Sequence, residues 1–417
     1  MESDLILPRY IMIRDLSLRR ESGGLDTIGG FEPGPGLLST SPADDDYSDA
    51  TEPPQPVIEV FDGLSKSDVH DARRDPEIAA FAPVMPTTLI RPASTTETDV
   101  DGPGGDLWGL EATGAIGSTR TGEGVSVAVL DTGIDRHHET FSGVAIEEVD
   151  FTGSGDADVQ GHGTHCAGTI FGGSVDGKRI GMAPAVSRAL IAKVLGDDGG
   201  GDSAWLLDGI NWAFDKGANV LSMSLGFDFP GMVARQTALG WPVAAATSAA
   251  LEAYRQNVRV FDRLVSMLSA RGGSNGGMLI VAAAGNESAR YSPKPYEIAA
   301  SLPAAADCIF AVGALRRTDE GLAPANFSNT FPQISGPGVS ILSAQTGGGL
   351  VPLNGTSMAC PHVAGAACLW WEELTADPFQ VASPATVGAR LLATARTDRF
   401  APNVDPADCG AGLVTAP

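Results

Sequence analysis

From Leu107 onward the chain alternates short, uninterrupted apolar runs with segments of helical apolar spacing, and few architectures accept that rhythm. "GVSVAVLDTG", "RALIAKVL", "ANVLSMSLG", "GMLIVAAAGN" and "CIFAVGAL" lack polar alternation, so each reads as a strand buried on both faces. Between them "GHGTHCAGTIFG" and "SAWLLDGINWAFDKG" read as helices, the second stopped at Gly217. Strands separated by helices predict an α/β fold, a doubly wound, mostly parallel sheet flanked by helices. Reactive side chains in such a sheet belong at the carboxyl ends of its strands.

Ahead of this unit, residues 1–90 predict a small α+β domain. Residues 5–14 suit one strand, and "VIEVFDGLSKSDVHDARRDPEIAAFAPVMPTTLI" reads as strand, short helix, strand. Ser65 is a fitting N-cap there, and Asp75-Pro76 a helix stop. The Pro-, Ser- and Asp-rich stretch 32–56 is expected to be a mobile loop, and 91–106 a linker to the main domain, 107–417. Within the latter, 227–276 is a long connection whose second half has the apolar spacing of a helix of several turns stopped by glycines.

A net charge of −24 argues against nucleic acid and anionic membrane surfaces as partners. No apolar run reaches membrane-spanning length. Glu2 and Asp4 precede a short apolar run without a small-residue cleavage site, a poor secretory signal. Five cysteines cannot all pair, and Cys360 and Cys368 would stand about 12 Å apart on one helix at ~1.5 Å per residue. A reducing, cytoplasmic setting is the expectation.

Several residues carry chemistry. Asp131 closes "VSVAVLDTG", where a carboxylate serves either as a reactive group or as a turn cap. A second Asp-Thr/Ser-Gly, which paired-carboxylate proteolysis needs, is missing. His162 in "GHGTHCAGT" is flanked by glycines, His165 reads as structural, and the Glu of the zinc-hydrolase pattern is absent. In "LNGTSMACPHVAG", a helix beginning near Ser357 turns the hydroxyl outward and leaves the serine's own amide facing a developing oxyanion. Pro361 near that start is expected to cost little, because the first amides lack intrahelical partners. Asn286, ending "LIVAAAGNES", suits a second oxyanion donor or a turn. No G-x-S-x-G surrounds a strand-to-helix serine, so an esterase of the α/β-hydrolase type is excluded.

Together "VAVLDTGID", "GHGTHCAGT", "LSMSLG", "VAAAGNES" and "NGTSMACPHVAG", in that order, resemble the subtilisin family of serine proteases from about Trp108 to residue 397. The resemblance implies acyl transfer to Ser357, with His162 as the proton carrier, Asp131 as its orienting carboxylate, and the Asn286 side chain and Ser357 amide holding the oxyanion. It also implies two backbone edges gripping an extended protein or peptide substrate, Gly199-Gly200-Gly201 and Ser224-Leu225-Gly226. Ala283, Ala284 and Gly285 would line a roomy first pocket whose floor lies within "SARYSPKPYEIAAS".

The first domain is similar to the family's propeptide, which implies an intramolecular inhibitor or folding chaperone, with self-cleavage within 84–105. "FDFPGMVARQTALGWP" is expected to overhang the cleft and narrow substrate choice. No cofactor is required on this reading, and the family's calcium loops are not recognisable. Asp156 and Asp158 suit a solvated turn better than an ion site. Cys166 is expected beneath the imidazole, as in the proteinase K branch, as a buried inert thiol. An inhibited protease-like scaffold that acts by binding is the alternative, although it has no need of all four reactive residues.

Overall fold

The structure is a computed structural model describing residues 9–19, 53–93, 107–272 and 277–417. The expected loop at 32–56 lies almost wholly outside the described residues, as does most of the linker. Chain order begins with β1 (Tyr10–Asp15), β2 (Pro56–Phe61), α1 (Lys66–Ala72), β3 (Ile78–Pro83) and β4 (Pro86–Leu89). Strands β2-β1-β3 form an antiparallel sheet. Ser65 caps α1 through a reciprocal bond with Asp68; the helix proper ends at Ala72, and its last helical bond, Asp75 N to the Asp71 carbonyl at 3.1 Å, stops at the expected Asp75-Pro76. Arg14 bonds both Glu59 and Asp75, at 2.6 and 3.0 Å, which ties the end of this helix to the sheet.

The main unit continues with α2 (Trp108–Ala112), β5 (Ser126–Asp131), β6 (Ala145–Asp150), α3 (His162–Phe171), the tiny hairpin β7 (Ser174–Val175) and β8 (Lys178–Arg179), and β9 (Arg188–Lys193). Next come β10 (Gly200–Asp202), α4 (Ser203–Asp215), β11 (Val220–Met223), β12 (Leu225–Phe227), α5 (Phe229–Ala238) and α6 (Val243–Arg271). The chain closes with β13 (Leu279–Ala283), β14 (Phe310–Thr318), β15 (Gly321–Pro324), β16 (Ile334–Pro337), the pair β17 (Ile341–Ala344) and β18 (Leu350–Leu353), α7 (Thr356–Ala376) and α8 (Pro384–Thr394).

Among the described residues an eight-stranded sheet runs β15-β14-β13-β11-β5-β9-β6, with β16 beside β14. Only β15 is antiparallel. The expected doubly wound architecture is therefore present. Strand β5 sits where the winding reverses, with β9 and β6 to one side and β11, β13 and β14 to the other. Its side chains alternate between two cores: Val127 and Val129 join Ile170 and Val363 of α3 and α7, whereas Ala128 and Leu130 join Leu206 and Phe261 of α4 and α6. Burial on both faces is why these strands read as unbroken apolar runs.

The second core does not stop at the main unit. Ile11, Ile13 and Ala82 of the first sheet, with Met85 just after it, share it with α4 and α6. The Asn257 side chain of α6 donates to the Pro83 carbonyl at 2.9 Å, and Arg9 pairs with Asp202 at 2.8 Å. The long connection thus holds two helices: α6 largely as expected, and α5, started by Asp228 as N-cap with Pro230 in its first turn.

Candidate active site

The carboxyl ends of β5 and β11 flank the point where the winding reverses. Asp131 meets His162 there, whereas Ser357 Oγ bonds the Ile90 and Ser224 carbonyls and not the imidazole. Asp131, the last residue of β5, is fully buried and lies 2.8 and 3.0 Å from His162 Nδ1 through its two oxygens. His162 opens α3, and Gly163 lets that helix end press onto the strand, since a Cβ there would collide with the Gly133 carbonyl. Asp158 fixes the two elements together. Its carboxylate accepts from Thr132 Oγ1 and the Gly161 amide at 2.8 Å, and from Thr164 N at 2.8 Å and Thr164 Oγ1 at 2.7 Å. Four donors saturate it, so Asp158 is a buried brace rather than part of a solvated turn; Asp156 is exposed.

Burial alone would lower the His162 pKa, but the Asp131 charge, the Cys166 sulfur and the Asp131 hydrogen bond outweigh it and hold the imidazole well above 6.5. His162 Nε2 is buried and makes no hydrogen bond within the protein. His165, in contrast, donates from Nε2 to the Ile341 and Val351 carbonyls at 3.0 and 3.1 Å, and burial first, then the neighbouring His162, lowers its pKa to about 3. It is a neutral structural histidine, as the sequence predicts.

Ser357 is the second residue of α7, after Gly355 as N-cap. Pro361 lies deeper in the helix than expected, past the amides that have no partner, so it removes a real bond, the one its N–H would give to the Ser357 carbonyl. That carbonyl accepts instead from Ser224 Oγ at 3.2 Å and from Cys166 Sγ at 3.4 Å. Cys166 also lies 3.9 Å from His162 Nδ1, and burial raises its pKa, which keeps it a thiol. One sulfur therefore touches the helix of the histidine and the backbone of the serine.

Asn286 follows the Ala283-Ala284-Gly285 end of β13. Its Oδ1 accepts from Thr356 N and Oγ1, both at 2.9 Å, which orients Nδ2. Gly285 adopts φ +116°, and a Cβ there would strike Asn329 Nδ2. Among the described residues, Asp131, His162 and Cys166 are the one group of metal-capable side chains whose donor atoms lie within 4.8 Å of one another. An imidazole, a thiol and one carboxylate suit no hard cation such as calcium.

A sequence profile of the subtilase family, peptidase family S8, matches residues 122–412. The chain belongs to the subtilase family. Proteins called "Subtilisin-like protease 1" are similar over much of it: that of Trichophyton equinum is 31% identical over 326 residues, 74% of this chain and 53% of its own length. That of Arthroderma gypseum is 32% identical over 329 residues, 74% of this chain and 56% of its own. That of Arthroderma benhamiae is 31% identical over 326 residues, 74% and 67% of the two chains. This subtilase spans little more than half the length of the first two relatives.

Both expected backbone edges of the subtilase are filled by its own chain. Strand β4 lies between β10 and β12, antiparallel to each, with Thr88 opposite both Gly200 and Gly226, Gly201 opposite Thr87, and Leu225 opposite Leu89. Leu89 N donates to the Gly199 carbonyl at 2.8 Å. Just past β4, Ser357 Oγ donates to the Ile90 carbonyl at 3.2 Å, and Asn286 Nδ2 donates to the next carbonyl, Arg91, at 3.0 Å. Ser301, at the end of the stretch expected to hold the pocket floor, lies with Ile90 against Gly226. Helix α5 packs beside β4 and α6, and the Asp228 amide donates to Pro86.

Sequence reading missed β4, Asn329, Thr356 and the brace role of Asp158. Asn329 is fully buried; its Oδ1 accepts from Glu287 N, Ser288 N and Ser288 Oγ, all at 3.2 Å, and its Nδ2 donates to Ala284 O at 3.1 Å and Glu287 Oε2 at 2.7 Å. It fixes the loop that carries Asn286. All five cysteines are free thiols, and among the described residues no helix is long and apolar enough to cross a membrane.

Proposed function

We propose that the chain is a serine endopeptidase whose N-terminal domain acts on its own active site. The observation carrying this is the buried Asp131–His162 pair at 2.8 Å, with Nε2 of the imidazole uncommitted, in a cleft where Ser357 Oγ meets a peptide carbonyl. His162 Nε2 takes the Ser357 proton as Oγ bonds to the carbonyl carbon. Asn286 Nδ2 and the Ser357 amide then hold the tetrahedral oxygen. As the C–N bond breaks, His162 passes the proton to the leaving amine; water repeats the sequence on the acyl-serine. Asp131 holds the tautomer and favours the transient imidazolium. The chain's own residues supply every group these steps need.

The N-terminal domain supports an inhibitory and chaperone role by sharing the second core and by laying β4 along both substrate edges. Within the intact chain the serine addresses Ile90 and the oxyanion amide addresses Arg91, so the two groups that must meet on one carbonyl are divided between two. That division favours inhibition while the chain stays whole, and it supports self-cleavage beside Ile90, within the expected 84–105. A fluorophosphonate probe tests the enzyme: labelling is expected in the wild type once limited proteolysis has removed the N-terminal domain, and is lost in Ser357→Ala. Absence of labelling after the N-terminal domain has been removed by limited proteolysis would favour the binding scaffold instead.

A further inference from the structure

The chain's own residues in the cleft record what each subsite accepts. Ile90 is 4% exposed, and its Cγ1 lies 3.5 Å, and the Ser301 Oγ 3.6 Å, from where a side chain on Gly226 would begin. The bare face of Gly226, with Ser301 beside it, is thus the space that a buried β-branched aliphatic side chain occupies. Arg91 is exposed and enters no pocket, so the side chain selected is Ile90, although Asn286 holds the Arg91 carbonyl.

Three residues earlier, Thr87 is 3% exposed against Gly201, where a Cβ would stand 2.7 Å from Thr87 Oγ1. That hydroxyl is buried without a hydrogen-bond partner. The subsite is thus selective for small size and gains nothing from the hydroxyl. A charged side chain in either slot would lose its hydration without a counter-ion.

We infer that this site takes peptides with a β-branched aliphatic residue, Ile or Val, immediately before the cleaved bond and a small residue three positions earlier. The inference rests on the endopeptidase reading and narrows it, because small pocket-lining residues alone predict a roomy, undiscriminating slot.

The test incubates the full chain with acetyl-Thr-Thr-Leu-Xaa-Arg-Ser-amide peptides in which Xaa is Ile, Val, Phe or Arg, plus an Ile peptide whose first Thr is Phe. Mass spectrometry locates the cut, and a fluorophosphonate probe is run in parallel on the wild type and on Ile90→Gly, which removes the anchor of the chain's own segment. Cleavage after Ile or Val at least about tenfold faster in kcat/KM than after Phe or Arg is expected, with a similar loss for the Phe-for-Thr peptide. If Ser357 is labelled but Phe or Arg peptides are cut as fast, the cut follows the fixed Arg, or no peptide is cut, the substrate class is wrong while the endopeptidase reading stands. If neither protein is labelled even after limited proteolysis has removed the N-terminal domain, the endopeptidase reading falls, and the substrate class with it.

Discussion

Replacing Asn329 with alanine separates the support of the oxyanion loop from its chemistry. The side chain touches no substrate position, yet it bonds the backbone on both sides of Asn286. Truncation removes four neutral hydrogen bonds of about 0.5–1 kcal/mol each and one to the Glu287 carboxylate of about 2 kcal/mol, so the chain should lose about 4–6 kcal/mol of stability. Gly285, held at φ +116° against that amide, would then be free to relax. A displacement of about 1 Å at Asn286 is worth about 100-fold in rate. The assay is kcat per fluorophosphonate-titrated serine, alongside a urea unfolding curve. A merely structural role would lower the number of active molecules and leave the turnover of each unchanged. A folded Asn329→Ala protein with wild-type turnover per titrated site would refute the reasoning.

Three further outcomes are expected. Asp131→Asn should cut kcat by about 10⁴-fold through the wrong tautomer. Because Asp131 raises the His162 pKa, its loss should also move the acid limb of the residual pH–rate profile to lower pH, which a stopped assay across pH 4–9, roughly spanning the ordinary histidine range, will read. Asn286→Ala should lower kcat by about 10²–10³, the loss known for the corresponding amide of subtilisin, with KM little changed in steady-state kinetics. Phe261→Ala, fully buried in the core that α6 shares with the first sheet, should cost about 3–5 kcal/mol and loosen the N-terminal domain, measured by denaturation and by its susceptibility to limited proteolysis.

Local pattern made most of the main unit legible. Strands β5, β9, β11, β13 and β14 were readable because burial on both faces leaves an unbroken apolar run, and α3, α4 and α6 because their apolar spacing runs up to a stop glycine, Gly172, Gly217 and Gly272. Strand β4 was not: "PTTL" has no apolar run, and it is a strand only because Gly200 and Gly226, more than a hundred residues away, supply its partners. Helix α5 carried its start signal in Asp228 and Pro230 but buries no residue fully, so its apolar spacing is faint. The candidate reactive residues stand in short motifs, whereas Asn329 works through hydrogen bonds to backbone far along the chain and Asp158 through bonds to Thr132, Gly161 and Thr164, which leave no periodic trace.

Pro361 makes the serine answerable to others. A helix normally steadies its own residues, one rung after another, but here the rung above Ser357 is missing and the carbonyl is tied to the end of β11 and to the helix bearing His162. Ser357 is thereby tethered to both β11 and the helix of His162, so any shift of either is passed to this serine rather than absorbed along α7.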